Sequence, residues 1–193
     1  MITGTPSSDR EVTDMPTYNW RGKRINAPSI DAVKKYINKQ HTAGIKLSEG
    51  DTQEALLRRM KPYISDIYKA EEDNGLPPGM LRKVLYQESQ FREDIILGNR
   101  KSRVGATGIA QFMPTTAEEQ GIDPLDPKQA IPGAAKYLSS LKEQTGSWEG
   151  AVAAYNWGPG NLAKQGLDNA PKETRDYLKA VIGDGSEVAR ANQ

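Results

Sequence analysis

Apolar positions recur at helical spacing along most of the chain. From Ser29, a capping candidate together with Asp31, the run Ile30, Val33, Ile37 predicts a helix. Thr52 opens a second segment in which Leu56, Leu57, Met60, Ile64, Ile67 and Tyr68 share a stripe, and Pro62 inside it predicts a kink or a break into two helices. Asn74-Gly75 stops that segment. Pro77-Pro78 starts another, with Leu81, Val84 and Leu85 on one face. Residues 92 to 113 hold no sustained period and read as loop with short extended pieces. Helical spacing returns after Pro127, where Ala130, Ala134, Tyr137, Leu138 and Leu141 form a stripe that ends near Gly146. Trp148, Ala151, Val152 and Tyr155 predict a short helix stopped by Gly158-Pro159-Gly160, and a last helix from Pro171 buries Thr174, Tyr177, Leu178 and Val181 before Gly183. No alternating run of strand length and no internal repeat is found, so the predicted class is mostly α with a loop-rich centre. Residues 1 to 28, rich in Pro, Ser, Thr and Asp and without periodicity, read as a flexible arm.

Composition narrows the chemistry. A chain of 193 residues can bury a proper core as one domain with an appendage. It has no cysteine and one histidine, His41, which excludes thiol nucleophiles, disulfides, Cys-based zinc sites and multi-His metal centres. Neither a metal nor a cofactor is called for, and catalysis has to rest on carboxylates, hydroxyls, amides and backbone dipoles. The net charge of +1 argues against a nucleic-acid binder held by phosphate contacts. Charge is uneven, however: residues 1 to 70 hold 12 basic and 8 acidic side chains, against 3 and 6 in residues 71 to 98. The basic front segment is either a solvated helical face or a contact for an anionic cell-envelope surface. The N-terminal run MITGTPSSDREV lacks the apolar core of a signal peptide, and no apolar stretch reaches transmembrane length, so a chain without its own export signal or membrane span is expected.

Within this frame Glu88 stands out. It follows Leu81, Val84 and Leu85 by seven, four and three residues, which puts a carboxyl on the apolar stripe, at the C-terminal end of its helix where the dipole disfavours an anion. Burial and dipole both raise its pKa, the condition for a general acid. An ordinary glutamate turned to solvent, or paired with Arg92, fits the same spacing. In Gly105 to Pro114, two glycines precede an apolar stretch broken by Gln111, whose amide can fix a sugar or simply complete a structural turn. Tyr155-Asn156-Trp157 beside Gly158-Pro159-Gly160 gathers polar aromatics suited to carbohydrate, although a tryptophan such as Trp157 is more often a core plug than a stacking platform. Glu173 in the first turn of the last helix satisfies the helix dipole without any functional role.

Four segments in order, E-S-Q-F at Glu88 to Phe91, S-x-x-G-A-T-G-I-A-Q-F-M-P at Ser102 to Pro114, A-Y-N-W-G-P-G at Ala154 to Gly160 and P-K-E-T-R-D-Y at Pro171 to Tyr177, resemble the soluble lytic transglycosylases of the lysozyme-like superfamily. The resemblance covers about residues 64 to 182. It implies a goose-type, lysozyme-like catalytic domain over residues 63 to 183, a helical N-terminal extension over 29 to 62 and a tail over 184 to 193. It further implies cleavage of the β-1,4 bond between MurNAc and GlcNAc in peptidoglycan; a monomer is expected. Glu88 matches the acid that protonates the glycosidic oxygen and then acts as base. Ser102 matches a serine that assists the substrate's N-acetyl group, Gln111 a residue lining the sugar cleft, and Tyr155 a tyrosine bonding near the acid. Asn156, Glu173 and Tyr177 match polar positions that contact substrate or support that network.

The chain also departs from the family pattern. The stretch from Glu88 to Gly105 is long and carries Arg100, Lys101 and Arg103, Trp157 stands where a small residue is usual, and residues 1 to 50 have no counterpart. A single carboxyl suffices if the substrate's acetamido oxygen stabilises the anomeric centre and the MurNAc 6-hydroxyl attacks it, leaving a 1,6-anhydro end. A hydrolytic muramidase needs a second group across the sugar, for which Glu93 and Asp94 are candidates. A wall-binding structural module and a serine hydrolase using His41 are the other readings. Without an export signal, the resemblance points to a phage endolysin acting in the host periplasm, or to an enzyme carried in the virion.

Overall fold

The computed structural model describes residues 16–100 and 102–183, and these divide into two compact units at Ala43/Gly44. The smaller unit begins with a hairpin of β1 (Thr17–Trp20) and β2 (Lys23–Asn26), paired antiparallel with Tyr18 opposite Ile25. Arg21 and Gly22 join them with φ of 49° and 75°, the left-handed pair that a tight hairpin turn requires. Helix α1 (Ile30–Thr42) follows, capped by Ser29, whose hydroxyl accepts from Ala32 N at 3.2 Å. Its Val33 and Ile37 are buried with Tyr18 and Ala27.

The hairpin corrects the expectation of a flexible arm over residues 1 to 28: its second half is a packed element, while residues 1–15 lie outside the described part. The strands are four residues each, too short to display an alternating pattern. His41 is buried in this unit, edge-on to Trp20 with ring centroids 5.9 Å apart.

The larger unit holds the remaining helices of the described residues. They are α2 (Gln53–Met60), α3 (Ile64–Asp73), α4 (Met80–Ser89), α5 (Glu93–Ile96), α6 (Pro114–Gln120), α7 (Pro127–Thr145), α8 (Trp148–Trp157), α9 (Pro159–Gln165) and α10 (Lys172–Ile182). Pro62 sits in a short 3-10 turn between α2 and α3, which is the break its missing N–H predicts. One core joins Leu56 and Met60 of α2, Ile67 of α3, Leu81, Val84 and Leu85 of α4, Ile131, Ala134 and Leu138 of α7, Val152 of α8 and Val181 of α10. Segment 44–62 therefore belongs to the larger body, whereas the resemblance implied an N-terminal extension over 29 to 62.

Helix α8 is the spine of this arrangement, packed on α7, α9 and α10. Its run Ala151-Val152-Ala153-Ala154 is buried along its whole length, and side chains that small let neighbouring helices approach closely.

Three short helices were not legible in the apolar pattern. Helix α5 interrupts the expected loop, and α6 and α9 fill stretches without a stripe; together they bury only Ile96 and Ala117. Proline at the first position of α6 and of α9 was the available signal. The remaining loop is pinned by a bridge between Thr107 and Phe112 around Gly108, where φ is 80° and a Cβ would lie 1.8 Å from the Pro124 carbonyl oxygen. Only glycine fits there.

Candidate active site

Helix α4 carries Glu88 and is fixed at both ends. At its start Gly79 is left-handed and has no capping side chain of its own, so the buried Glu71 of α3 supplies one from a distance. Its carboxylate accepts from Gly79 N at 3.0 Å and from Arg82 N at 3.4 Å, which satisfies two of the orphan N–H groups and places an anion at the positive end of the helix dipole. At its end, Gln90 and Phe91 adopt φ of 51° and 53°. Ser89 stabilises that sharp stop: its hydroxyl donates to Leu85 O at 3.0 Å and accepts from Phe91 N at 3.2 Å. The E-S-Q-F segment is thus a helix terminus that halts the chain one residue after the acid.

Glu88 itself is partly buried and faces a cleft of about 540 Å³ lined by Lys46, Leu47, Ser48, Gln87, Asn156, Glu173, Asp176, Tyr177 and Ala180. Tyr177 of α10 donates its hydroxyl proton to Glu88 Oε1 at 2.5 Å. Desolvation pushes the Glu88 pKa up to about 7. The Tyr177 hydrogen bond favours the carboxylate and opposes that rise, while the negative charge of Glu173 adds to it. Burial also holds the phenols of Tyr177 and Tyr155 well above their usual range, with the Glu88 charge as the next cause in both. Both hydroxyls therefore remain donors. No partnership with Arg92 forms, because Arg92 donates to Asp94.

Of the residues implied at the site, Asn156, Glu173 and Tyr177 line the cleft with Glu88. Asn156 is oriented by the buried Thr174, whose hydroxyl donates to Asn156 Oδ1 at 2.8 Å, leaving the amide NH2 for a ligand. Tyr155 lies close enough for Glu88 to perturb its ionisation, but its hydroxyl donates to Ala110 O at 2.9 Å and so ties α8 to the glycine-containing loop. Gln111 and Ser102 are not among the cleft-lining residues. The Gln111 side chain donates to Gly108 O at 3.0 Å within its own turn, and the Ser102 hydroxyl accepts from Ala106 N at 2.9 Å to close its loop. Lys101 is outside the described residues.

Neither Glu93 nor Asp94 lines the cleft, and Asp94 is held by Arg92 and Arg100. The acids in the cleft besides Glu88 are Glu173 and Asp176, both on α10, and Asp176 is paired with Lys172. Sequence reasoning missed Asp176 and the wall Lys46–Ser48. Asp176 was open to detection, since it falls three residues after Glu173 on the same helix. Among the described residues no group of three or more His, Asp or Glu side chains could hold a metal ion.

The described helices of the larger unit thus form one body around an open cleft in which burial keeps Glu88 protonated up to about pH 7. The sequence model described as Transglycosylase SLT domain matches residues 65–178, more than half of the chain, and the chain belongs to that family. It is similar to the membrane-bound lytic murein transglycosylase F of Pseudomonas fluorescens, with 34% identity over 142 residues that cover 65% of this chain and 28% of the relative. It is also similar to the peptidoglycan transglycosylase gp16 of Escherichia phage T7, with 33% identity over 134 residues that cover 59% of this chain and 10% of that protein. The chain thus spans well under a third of the length of these relatives. In fold it resembles an inactive mutant of the lytic transglycosylase Slt from Pseudomonas aeruginosa, with a TM-score of 0.54 and 23% identity over 85% of this chain and 28% of that one.

The raised Glu88 pKa makes stability depend on pH. A carboxyl whose pKa is higher in the folded state contributes stability that is fully present below its unfolded value, near 4.5, and lost as pH rises through about 7. Glu88→Gln is therefore expected to unfold at the same urea concentration as the parent at pH 4 and to be more stable by about 2 kcal/mol at pH 8.5. Equal stability at both pH values would mean that Glu88 titrates as an ordinary carboxyl.

Proposed function

We propose that this chain cleaves the β-1,4 bond between MurNAc and GlcNAc in peptidoglycan by lytic transglycosylation, with Glu88 as its only general acid and base. The observation that carries the reading is the Glu88 carboxyl, held near pKa 7 in an open cleft and bonded to the Tyr177 hydroxyl. At neutral pH such a group is protonated in about half of the molecules and can both give and take a proton. Glu88 donates its proton to the glycosidic oxygen as the C1–O bond breaks, and the substrate's 2-acetamido oxygen closes on C1. The Glu88 carboxylate then takes the proton of the MurNAc 6-hydroxyl, whose oxygen displaces the acetamido oxygen from C1. No water is consumed, and the product ends in 1,6-anhydro-MurNAc.

Tyr177 stabilises the carboxylate between these two steps, and Glu173 keeps the acid from ionising too early. Asn156 offers its free NH2 to a sugar hydroxyl or acetamide. Gln111, Tyr155 and Ser102 act through the loop that borders α8 rather than by direct contact.

Digestion of purified sacculi followed by mass spectrometry of the released muropeptides tests the reaction. Anhydro ends are expected from the parent chain, and Glu88→Gln should lower their release by about 10²–10⁴-fold. Products heavier by one water would instead make the chain a muramidase, with Glu173 or Asp176 as the second carboxyl. Undiminished release by Glu88→Gln would overturn the assignment of the acid.

The similarity to a phage transglycosylase supports action on the host wall at lysis or from the virion. No described helix is long and apolar enough to cross a membrane. Residues 16–43 carry six Lys or Arg side chains, Arg21, Lys23, Arg24, Lys34, Lys35 and Lys39, against one acid, Asp31. We assign this unit to contact with the anionic cell envelope, at roughly 1 kcal/mol per basic residue near such a surface. Charge reversal of Lys23, Arg24 and Lys35 should weaken sedimentation with phosphatidylglycerol vesicles by tenfold or more, and unchanged sedimentation would refute the assignment.

A further inference from the structure

One wall of the Glu88 cleft comes from outside the family match. Lys46, Leu47 and Ser48 line the cleft, yet the matched domain begins at residue 65. This segment has no regular secondary structure, and it is held in place by side chains of α2 and α4. Tyr86, buried two residues before Glu88, accepts from Ser48 N at 2.8 Å and donates to Asp51 Oδ2 at 3.2 Å. Arg59 grips the same Asp51 carboxylate with both terminal nitrogens, at 3.1 and 2.6 Å, and its Nε donates to Gln90 O at 3.0 Å. Gln90 closes the circuit by donating from Nε2 to Ser48 Oγ at 3.0 Å. The guanidinium of Arg59 holds the Asp51 carboxyl below the usual carboxylate range. The wall and the terminus of the acid-bearing helix thus share one network of charge-assisted bonds.

That network presents a cation. Among the cleft-lining residues Lys46 is the only basic side chain, and among the described residues it has no hydrogen-bond or ion-pair partner. The other charged groups of the lining are carboxyls, and of these Asp176 is already paired with Lys172. An exposed ammonium left unpaired at the lip of a glycan cleft is available to an anionic part of the substrate, and a glycan of GlcNAc and MurNAc has its acidic groups on the stem peptide, not on the sugar ring. We propose that Lys46, positioned by the Tyr86–Asp51–Arg59–Gln90 network, selects glycan strands whose stem peptides bear free carboxylates. This inference rests on the peptidoglycan reading of the same cleft.

The test is equilibrium binding by calorimetry, with the full chain carrying Glu88→Gln so that no turnover intervenes. Two soluble glycan preparations serve as probes, one with free stem-peptide carboxylates and one with the same carboxylates amidated. Free stems are expected to bind about fivefold tighter at low salt, the scale of one exposed ion pair. Adding Lys46→Ala should bring the ratio close to one, and Lys46→Arg should preserve it. Tyr86→Phe keeps the ring in the core but removes the hydroxyl contacts to Ser48 and Asp51, and it should cut the ratio about twofold. A merely structural role for the wall would shift both probes together and leave the ratio intact. A ratio near one in the starting protein, or one that survives Lys46→Ala, overturns the proposal. Cleavage of sacculi by the chain with Glu88 intact is scored separately: its absence counts against the catalytic reading, while a Lys46-dependent ratio would still uphold selection.

Discussion

The structure turns on keeping a carboxyl group partly out of water without a cation beside it. A buried carboxylate without a cation is costly, so Glu88 holds its proton up to about pH 7, and the nearest stabilisation it accepts is a phenol hydroxyl. Everything around it serves that balance. A lysine or arginine against Glu88 would lower its pKa and leave a spectator carboxylate; the one basic residue of the cleft, Lys46, forms no ion pair with it. Tyr177 compensates part of the desolvation, Glu173 restores part of it, and the acid stays near the pH at which proton donation and proton removal are equally accessible.

Holding that balance needs a rigid frame, and the frame is built by economical means. Helix α4 begins on a carboxylate borrowed from α3 and ends on a serine that bonds backward and forward within four residues. Helix α8, nearly all alanine and valine at its centre, allows α7 and α10 to close on the core while Tyr155 and Asn156 at its end reach the glycine loop and the cleft. Helix α10 brings Glu173, Asp176 and Tyr177 to the cleft that is also lined by Lys46, Leu47 and Ser48, next to the Asp51 that α2 and α4 hold. The family match, residues 65–178, stops short of that segment.

How much of this was legible in the sequence follows from the range of each interaction. Glu88 was found because its neighbours Leu81, Val84 and Leu85 lie on the same helix, and helical periodicity reports contacts of that range. The long helices α7 and α10 were likewise visible. The hairpin at Thr17–Asn26 was not, since two four-residue strands carry no countable alternation and the Arg21-Gly22 turn was its sole mark. The wall at Lys46–Ser48 is held by bonds spanning 35 to 42 residues, between Tyr86 and Asp51 and between Gln90 and Ser48, and no periodic pattern encodes such pairs. Motif order supplied Tyr177 and Asn156, yet it did not show that Tyr177 would take the direct contact with the acid while Tyr155 turned to the Ala110 carbonyl.

Glu88 is a proton reservoir near neutrality because of where it is buried. The most direct measurement is the carbon-13 NMR titration of the glutamate side-chain carboxyl, assigned by its loss in Glu88→Gln and followed again in Tyr177→Phe. The expected midpoint is close to pH 7 and moves higher when the Tyr177 hydroxyl is removed, because that bond favours the carboxylate. A midpoint near 4.5, or a downward move in Tyr177→Phe, would contradict it.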